Sequence, residues 1–227
     1  MSYPRKRIKT AEGFCPLCGS GLKESGEKWN LPGGERYIHC THCDLIFLEA
    51  RLRPDRESER ARYLEHNNSP LDERYRAYLS GFAHEALTPF VASPADILDF
   101  GSGPEPVFAT VLEELGYRVD IYDPLFAPDR SWQEKSYDAV TMVEVAEHLF
   151  EPLEELRRVR SVLRPGGYLV LRTLLHYSDR ERFRSWWYRK DCTHVCFYSP
   201  RSFEVAAGLL DLEVVEIKEG RSVILRG

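Results

Sequence analysis

The sequence predicts an α/β protein: a largely parallel sheet with helices packed against it and an antiparallel strand pair at its end, preceded by a small cysteine-rich unit. Three observations carry this. From Pro94 onward short apolar runs alternate with helical patterns, the order that builds parallel sheets. The chain ends in two strand-like runs, 212–218 and 222–226, and their link Glu219-Gly220-Arg221 is so short that they must pair antiparallel. Four of the six cysteines fall in two Cys-x-x-Cys pairs near the start.

The elements follow in order. In residues 1–50 the cysteine pairs flank a hairpin made of KWNL (28–31), the turn Pro32-Gly33-Gly34 and RYIH (36–39). Residues 51–93 read as a helical cover: from Pro54 the composition turns charged, and segments 57–66 and 71–87 bracket a turn at Asn67-Asn68-Ser69-Pro70. Tyr75, Tyr78, Leu79 and Phe82 recur there at helical spacing. Residues 94–227 form the main domain. Its first strand, 95–100, runs into Gly-Ser-Gly, and the helix behind it sets Val107, Phe108, Val111, Leu112 and Leu115 on one face before Gly116 stops it. Strands follow at 118–122 and 137–143, then a helix at 153–163 closed by Arg164-Pro165-Gly166-Gly167, then a strand at 168–173. After an irregular stretch with Trp186 and Trp187, Ser199 is an N-cap with Pro200 at the first helical position.

Composition narrows the function classes. With 43% hydrophobic and 30% charged residues, neither a disordered nor a fibrous chain fits. No run approaches the roughly 20 apolar residues of a membrane helix, and MSYPRKRIKT lacks the apolar stretch of a secretory leader, so a cytoplasmic protein without a membrane partner is expected. The net charge of −5 divides into +3 over residues 1–62 and −8 over the remainder, too mild to require nucleic acid. Without an export signal, six cysteines point to metal or catalysis before disulfides.

Residues ILDFGSGPEP (97–106) join a strand to a helix at the carboxyl edge of the sheet, where open α/β folds bind ligands. Glycine lets the backbone approach a ligand, and the helix start behind it offers unpaired N–H groups. Asp123, 22 residues after Gly101 at the end of the next strand, is placed to accept ribose hydroxyls. A dinucleotide and S-adenosylmethionine both fit this layout. The dinucleotide fingerprint lacks its third glycine, where Pro106 stands, and Asp99 suits an ammonium-bearing ligand better than a pyrophosphate.

Four segments in order, ILDFGSGPEP, VDIYDP, YDAVTMVEVAEHL and LRPGGYLVLRT, resemble the class I S-adenosylmethionine-dependent methyltransferases over about residues 95–227. The resemblance implies a Rossmann-like methyltransferase sheet, with Asp99, Gly101, Ser102 and Gly103 lining the methionine end of the cofactor, Asp123 holding its ribose and Glu144 beside the methionine or sulfonium. Two departures stand out. Glu105 occupies a position where the family loop usually has glycine, and only 13 residues separate Asp123 from Tyr137, so the usual third strand and helix are truncated or absent.

Cys15-Pro-Leu-Cys18 and Cys40-Thr-His-Cys43, with 21 residues between the pairs, have the build of a zinc ribbon. Four thiolates complete a tetrahedron and leave no open position, so the zinc is expected to be structural. His39 and His42 read as surface residues, and Cys192 and Cys196 as isolated buried thiols.

Methyl transfer chiefly requires an oriented acceptor and, for weak nucleophiles, a base. His148 follows a strand at the cofactor edge and reads equally as base or as loop scaffold. His194 is the favoured site residue, with Asp191 placed to orient it. Trp186, Trp187 and Tyr188 read equally as acceptor cover or core. The expectation is a methyltransferase with S-adenosylmethionine and structural zinc, acting on a small-molecule acceptor. RNA methylation, or a degenerate ribbon module binding RNA or protein, stays as the alternative, and the oligomeric state is open.

Overall fold

The computed structural model describes residues 13–65, 69 and 71–227. The turn at 67–70 lies, Ser69 excepted, outside the described residues, as does the segment from which a missing leader was read. A short helix α1 (Leu22–Ser25) leads into β1 (Gly26–Asn30), β2 (Arg36–Cys40) and β3 (Ile46–Leu48). Helices α2 (Arg56–Glu65) and α3 (Glu73–Phe82) follow, the second capped by the Asp72 carboxylate and continued by a π-helical segment, Ala83–Leu87. Next come β4 (Asp96–Phe100), α4 (Val107–Glu114), β5 (Arg118–Tyr122), β6 (Tyr137–Val143), α5 (Pro152–Ser161) and β7 (Leu163–Arg172). The chain finishes with α6 (Arg180–Ser185), β8 (Cys196–Phe197), α7 (Pro200–Leu209), β9 (Glu213–Lys218) and β10 (Ser222–Arg226). Ser199 caps α7 in a reciprocal pair with Ser202, as its place before Pro200 suggests.

The main sheet runs β5-β4-β6-β7-β10-β9. Its first four strands are parallel, and β10 lies antiparallel between β7 and β9, the expected terminal pair. Residues 124–136 hold a 3-10 turn, Ser131–Glu134, and one isolated bridge from Ala127 to Asp123, so among the described residues β5 is the sheet edge and no further strand covers it. Alternation along each strand sorts the two faces. Ile97, Ala139, Val170 and Ile224 pack with Leu79, Phe82, Val107 and Val111 of α3 and α4, while Leu98, Val140, Leu169 and Val223 face Leu156, Val159 and Phe203 of α5 and α7.

The ribbon sheet, β1-β2-β3-β8, takes its fourth strand from the far end of the chain: Ile46 pairs with Phe197 and Phe47 with Cys196. Sequence reading missed β3 and β8 because three- and two-residue strands carry no periodicity. Trp29, Tyr37 and Phe47 share one buried cluster with Phe183, Tyr188 and Phe197.

Candidate active site

The parallel strands all end at one edge, which brings the Gly101–Gly103 loop, Asp123, Glu144 and Thr173 together at their carboxyl ends. Gly101 and Ser102 donate N–H bonds to the Tyr122 carbonyl, at 2.7 and 3.1 Å, which folds the loop back over the sheet. Gly101 has φ +84°, and a Cβ there would stand 2.4 Å from Cγ2 of Val145, so nothing larger fits. Gly103 has φ +70° with nothing within 4 Å of its Cβ position, which leaves open space above the loop. The Ser102 hydroxyl is buried with no hydrogen-bond partner among the described residues, an acceptor-donor left for a ligand. Glu105 is exposed, so its carboxylate stays out of the packed loop.

Asp99 is 3% exposed and accepts from Thr141 Oγ1 at 3.0 Å. Burial, opposed by that hydrogen bond, lifts its carboxyl to about 7. Asp123 is fixed by three backbone donors: Leu125 and Phe126 N–H on Oδ1 at 2.7 and 3.0 Å, and Gly103 N–H on Oδ2 at 3.1 Å.

Glu144 ends β6 in the left-handed region, φ +52°, a conformation that costs a non-glycine residue about 1 kcal/mol or more. Tyr78 donates to its Oε1 at 3.1 Å and itself receives Arg172 Nε at 2.6 Å, while Tyr188 O–H reaches Oε2 at 2.9 Å. Burial, then the neighbouring Glu147 charge, raises the Glu144 carboxyl to about 7. Glu147, fully buried, stands 2.6 Å from the same Tyr188 hydroxyl. One hydroxyl proton cannot serve both carboxylates, and Glu147 Oε2 has no partner among the described residues.

The structure brings His148 and His194 together, with ring centroids 4.7 Å apart. His194 Nδ1 donates to the Tyr188 carbonyl at 2.7 Å and His148 Nδ1 to the Thr193 carbonyl at 3.0 Å. Burial, then the His148 charge, pushes His194 down to about 4. Asp191 lies in the same loop, where its Oδ1 accepts from Thr193 and its Oδ2 from Arg62, and the Tyr188 carbonyl holds the His194 ring through Nδ1. Helix α2 lies over the rim: Tyr63 packs edge-on to His148 at 5.2 Å, Arg60 sits over Phe126, and Arg56 donates to the Pro124 carbonyl. Trp187 is exposed, whereas Tyr188 is buried among the site residues. Glu147 and Tyr78 escaped sequence reading as site residues, since no spacing joins them to the site, and Tyr188, read equally as acceptor cover or core, lies between the two carboxyls; the adjacent Glu147-His148 pair was the one local signal.

A charged hollow of about 370 Å³ lined by Asp96, Arg118, Asp120, Lys135 and Arg164 lies at the opposite, amino-terminal strand edge. Its side chains are already paired with one another.

The four ribbon thiols converge. Their sulfurs lie within 4.8 Å of one another, with Cys15 to Cys43 at 3.5 Å and Cys18 to Cys40 at 3.7 Å. Zinc–sulfur bonds of about 2.3 Å in a tetrahedron set sulfurs roughly 3.8 Å apart, so the donor set fits a closed zinc site. His39 is buried, bonded to Asp44 at 2.6 Å, while His42 alone of that pair is exposed. Cys192 is exposed and Cys196 buried, so only the second matches the expected buried thiol.

A family profile described as a methyltransferase domain matches residues 71–217. A ubiquinone biosynthesis O-methyltransferase of Xanthomonas campestris pv. campestris (strain B100) is 43% identical over 61 residues, 27% of this chain and 24% of that protein. One of Cereibacter sphaeroides (strain ATCC 17025 / ATH 2.4.3) is 33% identical over 88 residues, 38% of this chain and 35% of that protein. The similarity thus spans about a quarter to a third of those relatives' length. The crystal structure of Burkholderia thailandensis 1,6-didemethyltoxoflavin-N1-methyltransferase, with 1,6-didemethyltoxoflavin and S-adenosylhomocysteine bound, shares the fold at a TM-score of 0.52 and 15% identity, over 88% of this chain and 97% of that one. With the glycine loop, Asp123 and Glu144 on one sheet edge and the profile spanning more than half of the sequence, the chain belongs to the methyltransferase-domain family.

Proposed function

We propose that this protein is an S-adenosylmethionine-dependent methyltransferase with a small-molecule acceptor. The observation that carries the reading is the loop at the end of β4: positive-φ glycines under open space, an orphaned Ser102 hydroxyl, and a buried Asp99 carboxyl beside them. An ammonium-bearing amino-acid end suits that combination. In this reading Asp99, Gly101, Ser102 and Gly103 hold the methionine end and Glu144 flanks the sulfonium. Asp123 has about four acceptor sites, three of them taken by backbone N–H groups, which leaves one for a ribose hydroxyl. The cofactor supplies a methyl group already activated by positive sulfur; the chain's own residues bind, orient and exclude water.

His148 and His194 stand on the acceptor side, and Asp191 pins the loop that carries His194 to α2 through Arg62. A histidine held neutral by burial is a weak proton acceptor, so His194 serves better as a lone-pair ligand than as a base. The curated relatives' names, both O-methyltransferases, support an oxygen acceptor. Calorimetry with S-adenosylhomocysteine tests the reading: micromolar binding is expected, with at least a tenfold loss in Asp123→Ala, and absence of binding at millimolar ligand overturns it.

A further inference from the structure

We propose that Glu147, His148 and His194 form a divalent-cation site on the acceptor side, separate from the cysteine cluster. One ligand atom from each of the three lies within 4.8 Å of the other two, the spread that a single ion spans. His148 Nε2 stands 3.9 Å from Glu147 Oε1.

Three features distinguish this cluster from a chance meeting of polar groups. First, each histidine donates Nδ1–H to a backbone carbonyl, Tyr188 for His194 and Thr193 for His148. A carbonyl can only accept, so the neutral ring carries its lone pair on Nε2, and metal-binding histidines are oriented in this way. Second, Glu147 is 0% exposed and its Oε2 has no partner among the described residues, a cost that a cation would remove. Third, Glu144 and Glu147 converge on the single hydroxyl of Tyr188, so a cation beside Glu147 would neutralise a carboxylate that burial otherwise keeps from ionising. Two imidazoles and a carboxylate suit zinc, manganese, iron or cobalt, and three protein ligands leave positions open.

Those positions name the acceptor class, and this half of the inference rests on the methyltransferase reading: a hydroxyl-bearing molecule whose oxygen reaches the ion. In the transfer the acceptor hydroxyl gives its proton to water, a C–O bond forms as the sulfonium C–S bond breaks, and S-adenosylhomocysteine leaves. A cation at the cluster assists the first event by lowering the hydroxyl pKa.

Metal analysis and manganese(II) titration of the full chain, followed by electron paramagnetic resonance, decide the matter. Manganese is held weakly by thiolates, so the cysteine site keeps its zinc. The expected result is one manganese per chain beyond that zinc, or a second zinc after zinc dialysis, with at least a tenfold weaker site in Glu147→Gln and in His194→Ala while the first zinc is retained. No ion beyond one zinc at millimolar manganese or zinc overturns the site, as does unchanged binding in both variants. Should one variant fail to fold, shown by loss of its cysteine-bound zinc, the other and His148→Asn supply the comparison. S-adenosylhomocysteine binding measured on the same samples separates the two ideas: a chain that binds the ion but not the nucleoside refutes the methyltransferase reading alone.

Discussion

At the scale of single residues, two glycines two positions apart separate stability from binding. Gly101→Ala forces a Cβ into Val145 at a left-handed position, so it is expected to cost about 2 to 4 kcal/mol in urea unfolding. Gly103→Ala meets nothing within 4 Å and carries only the backbone penalty, about 1 kcal/mol, yet its methyl enters the ligand space and weakens S-adenosylhomocysteine binding. Equal unfolding midpoints for the two variants would contradict this account of the loop. Asp99 supplies a pH signature. Burial holds its carboxyl at about 7, so below that pH the free protein carries it protonated, whereas an ammonium beside it requires the ionised form. Affinity for S-adenosylhomocysteine therefore falls as pH drops below about 7, by up to about tenfold per unit, and Asp99→Asn binds weakly with a flat profile. For the empty protein the sign is opposite. A folded-state value above the unfolded one means stability is fullest at low pH and is lost as pH rises through about 7.

At the scale of elements, α2 is a cover with no buried residue of its own. It is held by Arg62 on Asp191, Arg56 on the Pro124 carbonyl, Arg60 over Phe126 and Tyr63 against His148. Such contacts are weak one by one, so Arg62→Ala is expected to change global stability by less than about 1 kcal/mol. Amide exchange over 56–65 should nonetheless rise several-fold, read by mass spectrometry, and unchanged exchange would show that Arg62 does not hold the helix. The elements that sequence reading placed well are those with strong periodicity or punctuation. Strands 118–122, 137–143 and 222–226 coincide with β5, β6 and β10, because alternation and flanking turns mark both ends. The helix expected over 71–87 instead changes to a π-helical segment at Ala83, a local shift in hydrogen bonding that no residue pattern announces.

At the scale of the whole molecule, the zinc cluster and the main sheet are one mechanical unit. β8 closes the ribbon sheet from a loop that carries His194 just upstream, and His176 donates to the Asp44 carbonyl beside the second cysteine pair at 2.9 Å. Cys40→Ser, or zinc removal by a strong chelator, is expected to destabilise the entire chain by more than about 3 kcal/mol in a single thermal transition, since zinc affinity is folding free energy for the ribbon. A main-domain transition that stays at its original temperature would show the two parts to be independent. Among the described residues no helix is long and apolar enough to cross a membrane.

Local sequence determined the strand and helix alternation, the glycine turn and its following acid, and the two cysteine pairs, because each is set by neighbours within a few residues. Only the tertiary structure decided that Glu147 is a buried companion of Glu144, that Tyr188 stands between them, and that the Tyr188 carbonyl holds the His194 ring. The Tyr188 bonds to Glu144 and Glu147 join residues 44 and 41 apart, and neither that distance nor the dielectric around a side chain is encoded in spacing along the chain.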